Sequence, residues 1–176
     1  MKVTIETVLD PAAVASFYEL YLEAFAPMRT LAAARHVLSA EEFAAEMADP
    51  RIDKYVAWDE EGTPVALTTL VTDLSAVPWI SPEFLATRYP DRAAGGTLYY
   101  LGYTLAGPRG RRGYARTAAM LGERMAAERA VLGWDICAYN DGRRFGAGLL
   151  RLIGRSGGNV ERVDVQTYYA IEFAGA

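Results

Sequence analysis

Residues 97–121 read TLYYLGYTLAGPRGRRGYARTAAML, and this stretch decides the fold. Thr97–Leu105 consists mostly of aromatic, threonine and leucine residues, a composition that predicts a strand. A loop rich in glycine and arginine follows at once over 107–113. Apolar residues then recur at helical spacing and predict a helix over Ala115–Arg129. The stretch is therefore predicted to form a strand, a short loop and a helix in direct succession.

A strand that runs through a glycine-containing loop into a helix is suited to binding phosphate. The first N–H groups of a helix have no partner inside it, and the helix dipole favours a negative group there. Four arginines add positive charge at this loop: Arg109, Arg111, Arg112 and Arg116. No lysine follows the glycines as a P-loop requires, and Gly110 and Gly113 lack the spacing of the dinucleotide fingerprint. A solvated loop or a contact with RNA remains the alternative use of the arginines.

The whole chain is small and mildly acidic. It has 176 residues and a formal net charge of -4. The length suits one domain, so we treat residues 1–176 as a single domain. The acidic balance argues against a protein that binds nucleic acid by neutralising phosphates. Because the sequence contains neither a signal-peptide core nor an apolar run long enough to span a bilayer, we expect a cytoplasmic protein without a membrane partner.

The sequence contains one cysteine and one histidine, and neither is a candidate for metal binding or catalysis. The single cysteine, Cys137, lies in Trp134–Tyr139, an apolar stretch that predicts a short buried strand, so we expect a structural thiol. The single histidine, His36, lies among alanines and leucines with no visible partner. We therefore expect no zinc site, no other metal and no histidine-based triad.

The rest of the pattern predicts an α/β (α+β) domain around a mixed sheet. Asp10-Pro11 and Ser39-Ala40-Glu41-Glu42 are typical helix starts, and Pro27 and Pro50 are typical helix ends. The further predicted elements are a first strand in residues 1–9, a β-hairpin from KYVAW and PVALTTLVT, a short helix over Pro82–Arg88, a turn at Asn140-Asp141-Gly142, a helix over 145–153 and a final strand over 163–173.

The stretch 97–121 resembles the GNAT superfamily of N-acetyltransferases, whose coenzyme A loop has the pattern [Q/R]-x-x-G-x-[G/A]. Gly113-Tyr114-Ala115 matches the end of that pattern, and Pro108 lies just upstream of it, as a proline often does in the family. Asn140 matches an asparagine at the end of the fifth strand, and LLRLIGR at 149–155 resembles the LYxxLGF segment. The element order matches the family over nearly the whole chain. The resemblance implies a mixed, mostly antiparallel central sheet flanked by helices.

The resemblance also implies a ligand and a reaction. Acetyl-CoA would be the co-substrate, and a primary amine of a small molecule or peptide would attack it directly, without a covalent enzyme intermediate. A backbone N–H aimed at the acyl carbonyl would stabilise the oxyanion. The residues implied to hold the acetyl-CoA are Leu105, Ala106, Arg111, Arg112, Gly113, Tyr114, Ala115 and Arg116.

Two positions depart from the family pattern. Gly110 stands at the [Q/R] position, and Leu150 stands where many relatives have the tyrosine that protonates the departing thiolate. These departures keep open a second hypothesis, a non-catalytic module that binds coenzyme A. A longer acyl-CoA or an acyl carrier protein also remains open as the donor.

The candidate catalytic residues are Tyr103, Tyr169 and Asn140. Tyr103 lies on the key strand, where only alternate residues can face the substrate, so Tyr99 and Tyr100 are its competitors. Tyr169 is the candidate for the thiolate acid beside Tyr139 and Tyr168. Asp73, at the end of the hairpin, could also reach the site.

The segment Ser75–Gly96 contains three prolines and the aromatic residues Trp79, Phe84 and Tyr89. Long ordered connections are often functional, and this one leads into the key strand. We interpret it as a wall over the amine site. The alternatives are a cover for a sheet edge and a contact of a possible homodimer.

Overall fold

The computed structural model describes residues 1–33, 37–142 and 157–172. The strands are β1 (Lys2–Glu6), β2 (Ile52–Trp58), β3 (Pro64–Val71), β4 (Leu98–Ala106) and β5 (Val131–Gly133). The helices are α1 (Pro11–Phe25), α2 (Met28–Leu31), α3 (Ala40–Ala48), α4 (Pro82–Arg88), α5 (Pro90–Ala94), α6 (Arg111–Ala127) and α7 (Ala138–Gly142), with a 3-10 turn at Leu74–Ala76. Among these residues, no helix is both long and apolar enough to cross a membrane.

The five strands form one sheet in the order β1-β2-β3-β4-β5. The first three pairings are antiparallel, and only β4 and β5 run parallel. Helices cover both faces. The predicted mixed, mostly antiparallel sheet flanked by helices is therefore confirmed.

The helix starts predicted from the sequence are confirmed. The carboxylate of Asp10 accepts from the N–H groups of Ala12 and Ala13, so it caps α1. At α3 the capping box is complete: Ser39 accepts from the Glu42 N–H at 3.2 Å, and the Glu42 carboxylate accepts from the Ser39 N–H at 2.8 Å. These local bonds satisfy N–H groups that have no partner inside the helix.

One face of the sheet carries α1, α3 and the segment between β3 and β4. Phe17 of α1 and Phe43 of α3 pack on Val56 and Leu67, and all four side chains are fully buried. Farther along the same face, the 3-10 turn and α4 cover a second cluster: Ile52, Val71, Leu74, Val77, Leu85, Leu98 and Tyr100. Ser75–Gly96 is thus an ordered cover of the sheet face.

Among the described residues, α6 is the helix that covers the other face. Leu121 and Met125 of α6 pack on Tyr55, Leu70 and Tyr99. A buried hydrogen bond of 3.0 Å joins the hydroxyls of Thr68 and Thr117 under the same helix. The helix begins four residues earlier than the sequence predicted because its first turn lies within the arginine-rich loop.

A bulge interrupts β4. Thr68 pairs with Thr104 but Leu70 pairs with Leu101, so two residues of β4 lie opposite Thr69. The Thr69 hydroxyl accepts from the Tyr103 N–H at 3.0 Å. Because the extra residue shifts the alternation of side chains by one, Tyr100 and Tyr103 both point toward the face that carries α1 and α3.

The predicted strand Trp134–Tyr139 is wrong. The fifth strand is three residues long and ends at Gly133, and the chain enters α7 at Ala138. Cys137 is therefore half-buried between two elements rather than inside a strand. The predicted turn at Asn140-Asp141-Gly142 is also wrong, since these residues lie within α7.

The predicted final strand over 163–173 is not formed in its described part, 163–172. Residues 157–172 contain no helix or strand, and Ile171 is 80% exposed. Alternating apolar residues indicate that a segment favours a half-buried strand. A strand forms, however, only where a second strand lies beside it and pairs with its backbone N–H and C=O groups. The short β5 offers little edge for that pairing. The predicted helix at 145–153, the LLRLIGR segment, Leu150 and His36 lie outside the described residues.

Candidate functional site

The strands β4 and β5 stay paired over a short distance. Leu98 pairs with Val131, Tyr99 with Leu132 and Tyr100 with Gly133, and the pairing ends there. Leu101–Ala106 continue without a strand on that side among the described residues. The backbone edge of this half of β4, including Leu105 and Ala106, is therefore open to a ligand that can bond to a strand.

The loop after β4 directs the start of α6. The Gly107 N–H donates to the Val65 carbonyl at 3.2 Å, and the Gly110 N–H donates to the Gly107 carbonyl at 2.8 Å. The first bond of the helix joins the Tyr114 N–H to the Gly110 carbonyl at 2.8 Å. The N–H groups of Arg111 and Arg112 precede that bond and have no partner inside the helix. The loop thus presents donors that no described residue occupies, at the positive end of a 17-residue helix.

Two glycines are required by packing in this loop. A Cβ built on Gly110 would lie 2.0 Å from the Val65 carbonyl oxygen. A Cβ on Gly113 would lie 2.7 Å from the Ala57 Cβ and 3.2 Å from that of Ala66. Gly113 therefore brings α6 close to the sheet. The missing side chain of Gly113 thus makes room for Ala57 of β2 and Ala66 of β3.

The predicted arginines do not form one cluster. Arg109, Arg111 and Arg112 are exposed at the loop. The guanidinium of Arg116 instead donates to the Met1 carbonyl at 2.8 Å, so it ties α6 to the start of β1. Ala115 is exposed. Tyr114 is half-buried, and burial raises the pKa of its hydroxyl despite a hydrogen bond with Thr104.

A polar group lies beneath α3, at the level of the bulge. Tyr103 stacks among Tyr21, Phe25 and Phe43, and its hydroxyl is buried without a hydrogen bond of good geometry to any described residue. The carboxyl of Glu46 lies close enough for the two groups to change each other's pKa values. Burial raises the pKa of the Tyr103 hydroxyl well above its usual value.

Two ionisable side chains accompany Tyr103 in this group. Burial raises the pKa of Glu46 to about 7, and the nearby Tyr103 hydroxyl and Lys54 ammonium offset part of that rise. Lys54 is fully buried and donates to the carbonyls of Thr7 and Asp49 at 2.7 Å each. Burial lowers the pKa of Lys54 to about 8. A carboxyl with a pKa near neutrality can accept or release a proton under ordinary conditions.

A second polar contact lies where β4 and β5 part. The Tyr100 hydroxyl donates to the carboxylate of Asp135, two residues beyond β5. Trp79 packs edge-on against the Tyr100 ring at 6.5 Å and is 63% exposed. The segment Ser75–Gly96 thereby places an exposed aromatic ring beside the end of the parallel pairing.

The other predicted residues lie apart from these groups. Asn140 lies within α7, where its N–H donates to the Cys137 carbonyl at 3.0 Å, and not at the end of a strand. Tyr169 is 90% exposed in the segment 157–172, and Tyr168 is exposed as well. Asp73 caps the 3-10 turn by accepting from the Ser75 N–H. Tyr103 thus lies beneath α3, Tyr169 is exposed and Asn140 belongs to α7, and their shared catalytic role stays a prediction.

The sequence analysis missed Glu46 and Lys54. A glutamate on an amphipathic helix and a lysine in a strand both have the appearance of solvent-facing residues. Two signals were present nonetheless. Lys54 stands in register with the apolar Ile52 and Val56, and Glu46 lies one turn beyond the buried Phe43.

Solved structures resemble this architecture over almost all of the chain. An aminoglycoside antibiotic 6'-N-acetyltransferase from Acinetobacter haemolyticus aligns over 99% of this chain and 100% of its own, with a TM-score of 0.53 and 12% identity. A ribosomal-protein-alanine N-acetyltransferase from Brucella melitensis aligns over 98% and 100%, with a TM-score of 0.51 and 14% identity. The chain has the GNAT fold.

An acetyltransferase from Trypanosoma brucei gives a third GNAT-fold match, over 96% of this chain and 100% of its own, with a TM-score of 0.51 and 18% identity. No family model and no curated protein sequence matches the chain. At such low identities the likeness is one of fold.

Proposed function

We propose that the chain is a single-domain acetyltransferase that moves an acetyl group from acetyl-CoA to a primary amine of a small molecule or peptide. The observation that carries the proposal is the early parting of β4 from β5 beside the unused N–H groups of α6. A GNAT fold alone would leave the activity open. The open strand edge and the anion-binding helix start together match the two ends of acetyl-CoA, a pantetheine chain with amide groups and a diphosphate.

The residues around the loop fit this ligand. Gly110 lets the turn pack against Val65, where any side chain would collide, so the first turn of α6 keeps its position. The N–H groups of Arg111, Arg112 and Gly113 would hold the diphosphate, and the exposed Arg111 and Arg112 side chains would add charge. Tyr114, Ala115 and Arg116 stay in the proposed set as neighbours of that turn. Backbone groups of Leu105 and Ala106 would bond to the pantetheine along the open edge.

The acetyl transfer requires few further groups from the chain. Acetyl-CoA supplies an acyl group that is already activated as a thioester. The chain's own part is to bind the donor in the opening, to position the amine beside it on the α1 and α3 face, and to accept the proton that the amine loses. The exposed Trp79 and the Tyr100–Asp135 pair would form one wall of that amine site.

Calorimetric titration with acetyl-CoA tests the proposal, with ATP and NAD as controls. We expect selective binding of acetyl-CoA, followed by release of free thiol when a suitable amine is added. Binding of acetyl-CoA without thiol release across amines of every class would favour a non-catalytic module instead. Absence of binding by the folded protein would contradict the proposed donor and leave an acyl carrier protein as the donor to test.

A further inference from the structure

In the polar group beneath α3, Lys54 ties Thr7 to Asp49, but a role in holding the fold does not explain the pair of Glu46 and Tyr103. An apolar core surrounds it on both sides along the same sheet face, with Phe17 and Phe43 on one side and Leu85 and Leu98 on the other. Buried ionisable side chains are costly unless they are paired, and a buried hydroxyl without a good hydrogen bond is rare. The cluster therefore requires an explanation beyond packing.

We propose that Glu46 is the general base of the acetyl transfer and that Tyr103 is the residue that positions its carboxylate. This inference rests on the proposed function, since it assigns a step of the same reaction. Glu46 is half-buried at the end of α3, so its carboxyl is reachable from one side. Tyr103 lies at the β4 bulge, beyond the last residue of β4 that pairs with β5. Glu46 thus lies on the face above the opening into which the donor would fit.

The buried hydroxyl of Tyr103 explains how the carboxylate is oriented. Its ring is fixed by Tyr21, Phe25 and Phe43, so the hydroxyl has little freedom to find another partner. When Glu46 ionises, the hydroxyl can donate to one carboxylate oxygen. The second oxygen then remains to accept a proton from the amine. Tyr103 is in this way a positioning residue, because its own oxygen lies inside the protein.

The step balances without any further reactant. The lone pair of the neutral amine forms the C–N bond to the acyl carbon, and the proton that the nitrogen then loses passes to a Glu46 oxygen. The C–S bond breaks, and its electron pair leaves with the sulfur of coenzyme A. The sulfur takes a proton from water, and Glu46 returns its own proton to water.

The charges around Glu46 set the pH at which it works. Tyr103 of β4 and Lys54 of β2 favour the ionised carboxylate, whereas burial and Asp49 disfavour it. Tyr21 of α1 faces the Tyr103 hydroxyl. Asp49 stays ionised because Arg51 holds its pKa down to about 2. The balance of these groups leaves Glu46 with a pKa of about 7, so the base is half ionised near neutrality.

The test compares Glu46→Gln, Glu46→Asp and Tyr103→Phe with the wild type, using the best acceptor among spermidine, L-lysine, kanamycin and a peptide N-terminus. We expect Glu46→Gln to lower kcat/KM roughly 100-fold or more and to abolish the rise of kcat/KM between pH 6 and 8. Glu46→Asp should keep part of the activity. Tyr103→Phe keeps the ring and should move that rise to higher pH.

The controls separate this inference from the proposed function. Calorimetry should give the same acetyl-CoA affinity for Glu46→Gln as for the wild type, which also shows that the variant is folded. Glu41→Gln removes a charge from an exposed position on the same helix and should leave the pH profile unchanged. A Glu46→Gln enzyme with near wild-type kcat/KM and an unchanged pH profile would overturn the inference alone. A wild type that acetylates no acceptor would overturn the proposed function, and this inference with it.

Discussion

At the scale of single residues, the glycines of the loop show how strongly position decides what a residue does. Gly110 and Gly158 are the same residue type, yet a Cβ at Gly110 would collide with a carbonyl oxygen and one at Gly158 would meet nothing within 4 Å. Close packing therefore constrains Gly110 at the start of α6. No neighbouring atom of the described residues constrains Gly158 in this way.

Gly110→Ala should destabilise the fold by about 1–3 kcal/mol, because the backbone of β3 must move away from the new methyl group. It should also weaken acetyl-CoA binding, since the first turn of α6 would shift. Urea unfolding and calorimetry measure the two effects. Gly158→Ala is the matched control and should change the free energy of unfolding by less than about 0.5 kcal/mol. Equal stability of the two variants would show that the loop does not press on Val65.

Glu46 gives a prediction for stability that is independent of catalysis. Its pKa is raised in the folded state from 4.5 to about 7, so the folded protein binds this proton more tightly than the unfolded chain does. The stabilisation is therefore complete below about pH 4.5 and is lost as pH rises through 7. Glu46→Gln should be more stable than the wild type at pH 8 by about 1–3 kcal/mol and should lack this dependence.

Urea unfolding at pH 5 and pH 8 checks the sign. The wild type also contains Lys54, whose pKa burial lowers to about 8, so the comparison must be made between the variant and the wild type at each pH. If both proteins lose stability equally between pH 5 and 8, Glu46 is not the group responsible.

At the scale of elements, Arg124 joins α6 to the strands below it. Its guanidinium donates to Asp53 at 2.6 Å, to Glu128 at 2.9 Å and to the Tyr55 hydroxyl at 3.2 Å. It also lies 5.1 Å from the centre of the Tyr99 ring. One planar cation thus bonds to acceptors on β2 and just beyond the end of α6, while it stacks on a ring of β4.

Arg124→Lys should cost about 1–2 kcal/mol of stability, because an ammonium cannot reproduce the fork of donors or the stacking on the ring. Thermal or urea unfolding measures the loss. Arg112→Lys, at an exposed position on the same helix, is the control and should be nearly neutral. A loss no larger than that of the control would mean that the network adds nothing to stability.

The elements also show what the sequence could and could not predict. Caps such as Asp10 and Ser39 are local, so their residues alone were enough. The strand predicted over Trp134–Tyr139 and the one over 163–173 depended on neighbours that no local pattern contains. The proximity of Glu46 and Tyr103, far apart in the chain, arises only when α3 packs over β4. For this reason no local pattern paired Tyr103 with Glu46.

At the scale of the whole molecule, binding of acetyl-CoA and the stability of the folded chain are linked. A ligand that binds only the folded state stabilises it by about 2.7 kcal/mol at a concentration of 100 times Kd. For a chain of this length, each kcal/mol raises Tm by roughly 2–4 °C. Saturating acetyl-CoA should therefore raise Tm by about 5–10 °C, whereas ATP and NAD should not. A rise of equal size with all three ligands would point to non-selective binding of phosphate.

The bulge in β4 has a consequence for the gene that encodes this chain. Two residues of β4 lie opposite Thr69, and a Cβ on Gly102 would lie 2.5 Å from the Thr69 hydroxyl. Loss of the single codon for Gly102 would leave only Tyr103 opposite Thr69 and would convert the bulge into a regular ladder. The side chains from Tyr103 to Ala106 would keep their partners and their faces. A substitution at Gly102 would instead press a side chain against Thr69, so at this position evolution by deletion is open and evolution by substitution is closed.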